Sequence, residues 1–246
     1  MKTGGLNAGM FQKLGRSLKK RRLTLSLPPI AREVMRDGLT YLPLERMASL
    51  NFELERVVAQ DVPGDIAEFG MALGGSAIVL ARRRGRRRFF GFDVFGRIPP
   101  PTDDDGADAH NRFKVIAEGK STGIRDGEYY GYMDDLYGRV VSSFGKYGLS
   151  VDNQSIILRK GLFQDTFSPS ESDRFCLVHI DCDWYDPVFF CLTSVSPCLN
   201  PGGAIIVDDY NDYEGCRNAV DKVLAEDASL WLERTVPHAV IRKRPS

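Results

Sequence analysis

The chain has 246 residues, 43% hydrophobic and 27% charged, with 33 Lys and Arg set against 33 Asp and Glu. That suits one large soluble α/β domain, or one domain with an added arm, and zero formal charge argues against bulk nucleic-acid binding. No apolar run approaches the ~18 residues of a membrane span, and the start, MKTGGLNAGMFQKLG, lacks the apolar stretch of a signal peptide, so a cytoplasmic protein is expected.

Residues 1 to about 60 read as an N-terminal helical arm, with Leu44, Met47 and Val57 apolar in LTYLPLERMASLNFELERVV and a basic run at 19–22. From 61 to 246 short apolar runs alternate with helical patterns. DIAEFG (65–70) reads as a strand, GSAIVLARRR as a helix start, and RFFGFD (88–93) as the next strand. The run ARRRGRRR between them reads as a solvated turn, because arginines near a helix C-terminus suit its dipole. Residues from about 96 to 150 read as an insertion. It opens with GRIPPPTDDDGAD and continues with the aromatic EYYGYMDDLYG, and a long segment after a strand's C-terminal end suits a lid or substrate loop. SIILRKG, FCLVHID and AIIVDD follow as strands, with PVFFCLTSVSPCL and CRNAVDKVLAED as helices. LWLERT and HAVIRKR are joined only through Val236 and Pro237, too short for a crossover helix, so they read as an antiparallel pair. The expected fold is α/β: a mostly parallel sheet covered on both faces and finished by that pair. Cys176, Cys182, Cys191, Cys198 and Cys216 are odd in number and form no C-x-x-C motif; they read as reduced core thiols rather than a zinc site.

The glycine-rich turn EFGMALGGSA follows the first strand. Such a turn lets a ligand approach the backbone at a helix N-terminus. The dinucleotide fingerprint fails, since Ala72 stands two after Gly70, and no Lys-Ser/Thr follows the glycines to make a P-loop. Glu68 argues against a pyrophosphate, and Asp93 at the next strand end suits ribose hydroxyls. Together they suggest an adenosyl ligand without phosphate, S-adenosylmethionine.

Two later strands run into acid: LVHIDCDWYD carries Asp181, Asp183 and Asp186, and AIIVDDY carries Asp208 and Asp209. In an open α/β sheet, ligands bind outside such strand ends. If the two strands are neighbours, their carboxylates meet and resist joint ionisation unless a cation is present. All-oxygen ligands suit a hard cation, Mg²⁺ or alternatively Mn²⁺, at Asp183, Asp208 and Asp209. Asp181 and Asp183, two apart, share one side while the chain stays extended. Asp186 before Pro187 reads as a helix N-cap, and His179 as a core histidine with a satisfied ring.

The ordered stretches DGLTYLPLERMASL, PGDIAEFGMALGGSA, FGFDVFGRIPPP, RKGLFQDTF, VHIDCDWYD, LNPGGAIIVDDY and GCRNAVDKVLAE resemble the macrocin O-methyltransferase family. These are metal-dependent class I S-adenosylmethionine methyltransferases acting on sugar hydroxyls of natural products. The resemblance implies a Rossmann-like sheet of seven strands. It implies that Glu68, Phe69, Gly70, Gly75, Ser76 and Asp93 line the cofactor, and that Asp165 lies near the adenine. It also implies that Asp181 is the general base and that Asp183, Asp208 and Asp209 hold the metal. The implied partner is a glycosylated small molecule, not nucleic acid or membrane, and the implied assembly is a homo-oligomer. A catechol or other phenol is the alternative acceptor. Trp184 stands where the family usually has Leu, and Pro187 where a small hydroxyl residue is common, so the acceptor pocket departs from the pattern.

Overall fold

The computed structural model describes residues 21–170 and 172–245; the first twenty residues of the expected arm lie outside them. Residues 21–26 are helical, and helices α1 (Pro29–Arg36) and α2 (Leu44–Ala59) follow, each entered through a proline at the extended N-cap. Strand β1 (Asp65–Phe69), helix α3 (Gly75–Arg83) and strand β2 (Phe89–Asp93) follow. Next come α4 (Ala107–Ala117), α5 (Leu136–Lys146), β3 (Ile156–Lys160) and a single turn, α6 (Phe163–Thr166). Then β4 (Phe175–Ile180), α7 (Tyr185–Val195), β5 (Leu199–Val207), α8 (Glu214–Glu226), β6 (Leu230–Arg234) and β7 (Ala239–Lys243) complete the chain.

The seven strands form one sheet in the order β3-β2-β1-β4-β5-β7-β6. β1 to β5 pair in parallel, and β7 pairs antiparallel with both β5 and β6. Strand alternation divides the core. Ile66, Leu177, Ile206 and Val240 share one apolar cluster with Met47, Leu50 and Leu54 of α2. Ala67, Val178, Ile205 and Ile241 share the other with Val188 and Leu192 of α7 and Val220 of α8. The strand order reverses between β1 and β4, which opens a crevice at the carboxyl ends of these strands.

The expected insertion is shorter than its sequence suggests. Leu136, Val140 and Phe144 are fully buried at four-residue spacing, and with Phe89 and Ile156 they belong to the first core cluster. Helix α5 is therefore the crossover between β2 and β3, and only residues 96 to 135 lie outside the regular alternation. The arginine run is largely tied down: Arg84 donates to Ala81 O and Ser155 Oγ, Arg87 to Val62 O, and Arg88 to Asp65. All five cysteines are buried and free of disulfides. No helix among the described residues is long and apolar enough to cross a membrane.

Candidate active site

A cavity of ≈ 560 Å³ opens at the crevice, within the range of small-molecule sites. One wall is Gly70, Ala72, Asp93 and Val94, the ends of β1 and β2. The facing wall holds Asp181, Asp183, Asp208 and Asp209, past the ends of β4 and β5. Tyr41, Leu42 and Arg46 from the arm, and Pro99, Arg112, Tyr129 and Tyr130 from the insertion, close the rest.

Gly70 is required where the two walls meet. It has φ +83°, and a Cβ built there would lie 1.8 Å from the backbone oxygen of Asp181. The amide of Asp181 in turn donates to Phe69 O at 2.8 Å. Only glycine allows the glycine loop and the first acid to approach so closely. Asp93 stiffens the same loop: Oδ2 accepts from the amides of Met71 (2.6 Å) and Ala72 (3.1 Å), and Oδ1 from Phe95 (2.6 Å). Burial still pushes the Asp93 carboxyl above its ordinary range, against these bonds. A carboxylate has about four lone-pair sites, so these three bonds leave Asp93, which lines the cavity, with acceptor capacity to spare.

The carboxylates regroup relative to the sequence expectation. The set that converges is Asp181, Asp208 and Asp209, each offering an oxygen within 4.8 Å of the others; Asp183 is outside it. The expectation that Asp181 and Asp183 share one side assumed an extended chain. The strand ends at Ile180, and Asp183 has φ +62° in a tight turn where Trp184 N–H donates to Cys182 O at 2.7 Å. That turn breaks the alternation and leaves Asp183 beside the cluster, its own amide donating to Asp209 Oδ2 at 3.2 Å. Burial, then the negative charge of their neighbours, pushes Asp181 and Asp209 well above the carboxylate range. Asp183 is pushed up to about 7, chiefly by burial, with Arg112 opposing.

Asp208 behaves oppositely because the protein supplies its counter-charges. Burial raises it, but His179 and His238 and the charge of Arg46 outweigh that and hold it below the ordinary carboxylate range. Arg46 Nη1 donates to Asp208 Oδ2 at 2.7 Å, and Nη2 to Asp212 at 2.7 Å. His238 Nδ1 lies 3.2 Å from Asp208 Oδ1, while its Nε2 meets Ser49 Oγ of α2 at 2.9 Å. His179 Nε2 stands 3.9 Å from Asp208 Oδ1, and its Nδ1 lies 2.7 Å from Glu68 Oε1. Neither Arg46 nor His238 stood out in the sequence.

The remaining expected cofactor residues distribute unevenly. Glu68 is fully buried on the α2 face of the sheet, in register with His179, and does not line the cavity. Strand alternation explains it: Glu68 shares its face with Ile66, not with the crevice. Phe69 turns to the opposite core, stacked on Phe92 at 4.7 Å, and contributes its carbonyl. Gly75 packs under Leu39 O, where a Cβ would approach to 2.3 Å, and Ser76 is buried in α3; neither lines the cavity. Asp165 is exposed, and it is its neighbour Gln164 that lines the cavity.

Asp186 does not cap a helix. Helix α7 begins one residue earlier, at Tyr185, whose amide is held at 2.8 Å by Asp105 of the insertion. Asp186 lies in the first turn and faces the cavity. The acidic loop thus has a structural use: Asp105 holds Tyr185, and Asp108 holds the Glu214 amide at 2.8 Å. Trp184 is buried and donates its indole N–H to Pro99 O at 2.9 Å, fastening the insertion over the carboxylates.

The family described as Macrocin-O-methyltransferase (TylF) matches residues 16–228. The chain belongs to the macrocin O-methyltransferase family. The 8-demethyl-8-(2,3-dimethoxy-alpha-L-rhamnosyl)-tetracenomycin-C 4'-O-methyltransferase of Streptomyces olivaceus is 34% identical over 186 residues, 74% of this chain and 66% of that protein. Mycinamicin III 3''-O-methyltransferase of Micromonospora griseorubida is 30% identical over 187 residues, 74% of this chain and 68% of its own length. The chain therefore spans about two thirds of these relatives. The solved structure of the O-methyltransferase NovP is similar with a TM-score of 0.68 at 25% identity, over 85% of this chain and 83% of that one. The seven-stranded sheet with its antiparallel end is the class I methyltransferase fold.

Proposed function

We propose that the protein transfers a methyl group from S-adenosylmethionine to a sugar hydroxyl of a natural product, with the help of a divalent cation. The observation that carries the reading is the convergence of Asp181, Asp208 and Asp209 in the cavity that Gly70 and Asp93 also line. The relatives that support a sugar acceptor are named for a rhamnosyl tetracenomycin and for mycinamicin III.

The donor set fits a hard cation. It is all oxygen, and two of its three carboxylates are destabilised by burial and by one another, which a bound cation would relieve. Asp181, Asp208 and Asp209 would hold Mg²⁺ or Mn²⁺; this exchanges the roles that the sequence suggested for Asp181 and Asp183. When bound, the cation supplies positive charge that lowers the pKa of a nearby hydroxyl. Asp183, adjacent to the cluster but outside it, would accept the hydroxyl proton. Gly70 and the spare acceptor capacity of Asp93 would hold the nucleoside end of the cofactor, which supplies the methyl group. Arg46 and His238 fix Asp208, and Trp184 fixes the insertion, so acceptor and cofactor meet in one enclosed space. A cytoplasmic location and a homo-oligomeric assembly are the accompanying expectations.

The test is an assay of purified protein with S-adenosylmethionine, a panel of rhamnosylated polyketides and macrolide glycosides, and a panel of catechols. S-adenosylhomocysteine and methylated product are measured with EDTA and with added Mg²⁺. Glycoside methylation that EDTA abolishes and Mg²⁺ restores is expected. Turnover of catechols alone would replace the sugar acceptor, and full activity in EDTA would remove the cation.

A further inference from the structure

We propose that the acceptor carries an anionic group beside the sugar that is methylated, and that Arg112 is the residue that pairs with it. This rests on the reaction proposed above and adds the charge class of its substrate.

Two cations line the cavity, Arg46 and Arg112. They are placed very differently. Arg46 is committed: its guanidinium donates to Asp208, Asp212 and the carbonyl of Pro237. Arg112 makes no hydrogen bond and no ion pair among the described residues; its guanidinium lies 5.6 Å from the ring centre of Tyr129. Tyr129 is itself buried and packed against Tyr130 at 4.4 Å and Tyr132 at 5.1 Å, so the ring under Arg112 is firmly seated. A guanidinium held over an aromatic ring has its plane set while its donor edge stays free, which suits bidentate capture of a carboxylate or phosphate.

Its position is on the acceptor side. Arg112 comes from α4 of the insertion, and its charge bears on Asp183, Tyr129 and Tyr213, all on that side of the cavity. The lining combines apolar and aromatic residues, Ile98, Pro99, Ile116, Tyr130 and Trp184, with the carboxylates Asp183 and Asp186, neither of which Arg112 pairs with directly. A neutral glycoside filling this space would exclude water from the free donors of Arg112 and give them little in return. An occupant with a negative group satisfies them. The shared chemistry is a bidentate oxyanion, either a phosphate ester of the sugar or a carboxylate on the aglycone.

The experiment compares one hexose presented four ways: as its neutral methyl glycoside, its 1-phosphate, its nucleoside diphosphate ester and its carboxyphenyl glycoside. Initial rates give kcat/KM for the unaltered protein, Arg112→Gln and Arg112→Lys. At least one anionic acceptor should exceed the neutral one in the unaltered protein, by an advantage that shrinks as NaCl is raised. Arg112→Gln should lower the ratio of anionic to neutral kcat/KM by roughly 10- to 100-fold, through KM, and Arg112→Lys should restore part of it. The better anionic arm identifies the source of the charge. The proposal is overturned if the neutral glycoside equals or exceeds every anionic acceptor, or if Arg112→Gln changes both kinds by the same factor. Should Arg112→Gln fail to fold, the acceptor ranking and its salt dependence in the unaltered protein decide alone. Methyl transfer to none of the four, with catechols methylated, would instead refute the sugar reading itself.

Discussion

Asp209→Asn isolates the electrostatic character of the carboxylate cluster. The substitution keeps the side chain's shape and an oxygen for the Asp183 amide, now 3.2 Å from Asp209 Oδ2, but removes one charge. Oxygens of Asp181 and Asp208 lie within 4.8 Å of one on Asp209. At 4.8 Å and an effective dielectric of about 20, a fully ionised pair repels by about 3.5 kcal/mol, and by more at any shorter separation. Asp181 and Asp209 are both pushed well above the carboxylate range by burial and then by neighbouring charge, so protonation relieves part of this near neutral pH. About 1–2 kcal/mol is left for asparagine to recover. For a chain of this length that is a Tm rise of about 2–8 °C without metal. With metal the order reverses. A cation at 100 times its Kd stabilises the native protein by about 2.7 kcal/mol, and the variant should lose most of that gain. Thermal scans in EDTA and across a Mg²⁺ or Mn²⁺ titration measure both effects. If Asp209→Asn lowers the metal-free Tm and retains the full cation-induced rise, Asp209 is an ordinary buried acceptor and the cation site is wrong.

Further substitutions probe the walls around that cluster. Gly70→Ala should cost more than about 2 kcal/mol in urea denaturation and abolish turnover, because a Cβ meets Asp181 O at 1.8 Å from a residue with φ +83°. Trp184→Phe removes the 2.9 Å bond to Pro99 O; about 1 kcal/mol of lost anchoring should raise the acceptor KM about fivefold and leave the cofactor KM nearly unchanged. Arg46→Ala should weaken Mn²⁺ binding, read by isothermal titration, because Asp208 loses the charge that keeps it ionised and aimed. The pH dependence of the metal-free protein draws on Asp183 together with Asp181 and Asp209, which burial also raises. The folded pKa of Asp183, about 7, exceeds the ordinary 3.8, so between these values the folded state binds more protons than the unfolded state, and stability falls as pH rises through that window. Urea midpoints across it should decline in EDTA, and Asp183→Asn should make the decline shallower while the part due to Asp181 and Asp209 remains.

Local periodicity made the sheet legible. Apolar runs, short links and the absence of a crossover before the last strand were enough to place the seven strands and the antiparallel end. The same periodicity could have placed more. Leu136, Val140 and Phe144 carry a helical signal that the surrounding tyrosines and glycines obscured, and Ile66 with Glu68 share a strand face that leads away from the crevice. Contacts between distant segments were beyond reach. Arg46 meets Asp208 across 162 positions, and Asp105 supplies the amide partner of Tyr185 across 80. The N-cap reading of Asp186 followed a sound local rule, but an acid from the insertion holds the first amide of that helix instead. Asp183 lies outside the converging set of Asp181, Asp208 and Asp209 for a backbone reason: its positive φ ends the alternation that would have put it on the side of Asp181.

The arrangement explains why the arm belongs to the site and is not an accessory to it. Three acids at neighbouring strand ends cannot all stay ionised in a buried crevice unless something neutralises them. Helix α2 deals with one of the three. Arg46 occupies one oxygen of Asp208, and Ser49 holds the histidine that faces the other. Farther along the same helix, buried Glu53 pairs with Arg234 of β6 and Arg242 of β7, so the helix that supplies Arg46 is fixed to the sheet's antiparallel end by charge. Asp208 is thereby a permanent anion in a defined pose, while Asp181 and Asp209 remain uncompensated and open to the cavity. A site built this way offers an incoming cation one ready ligand and two whose ionisation the cation itself must favour. The antiparallel hairpin, which looks peripheral in the strand order, supplies His238 and anchors α2, and so helps to set the electrostatics at the centre of the sheet.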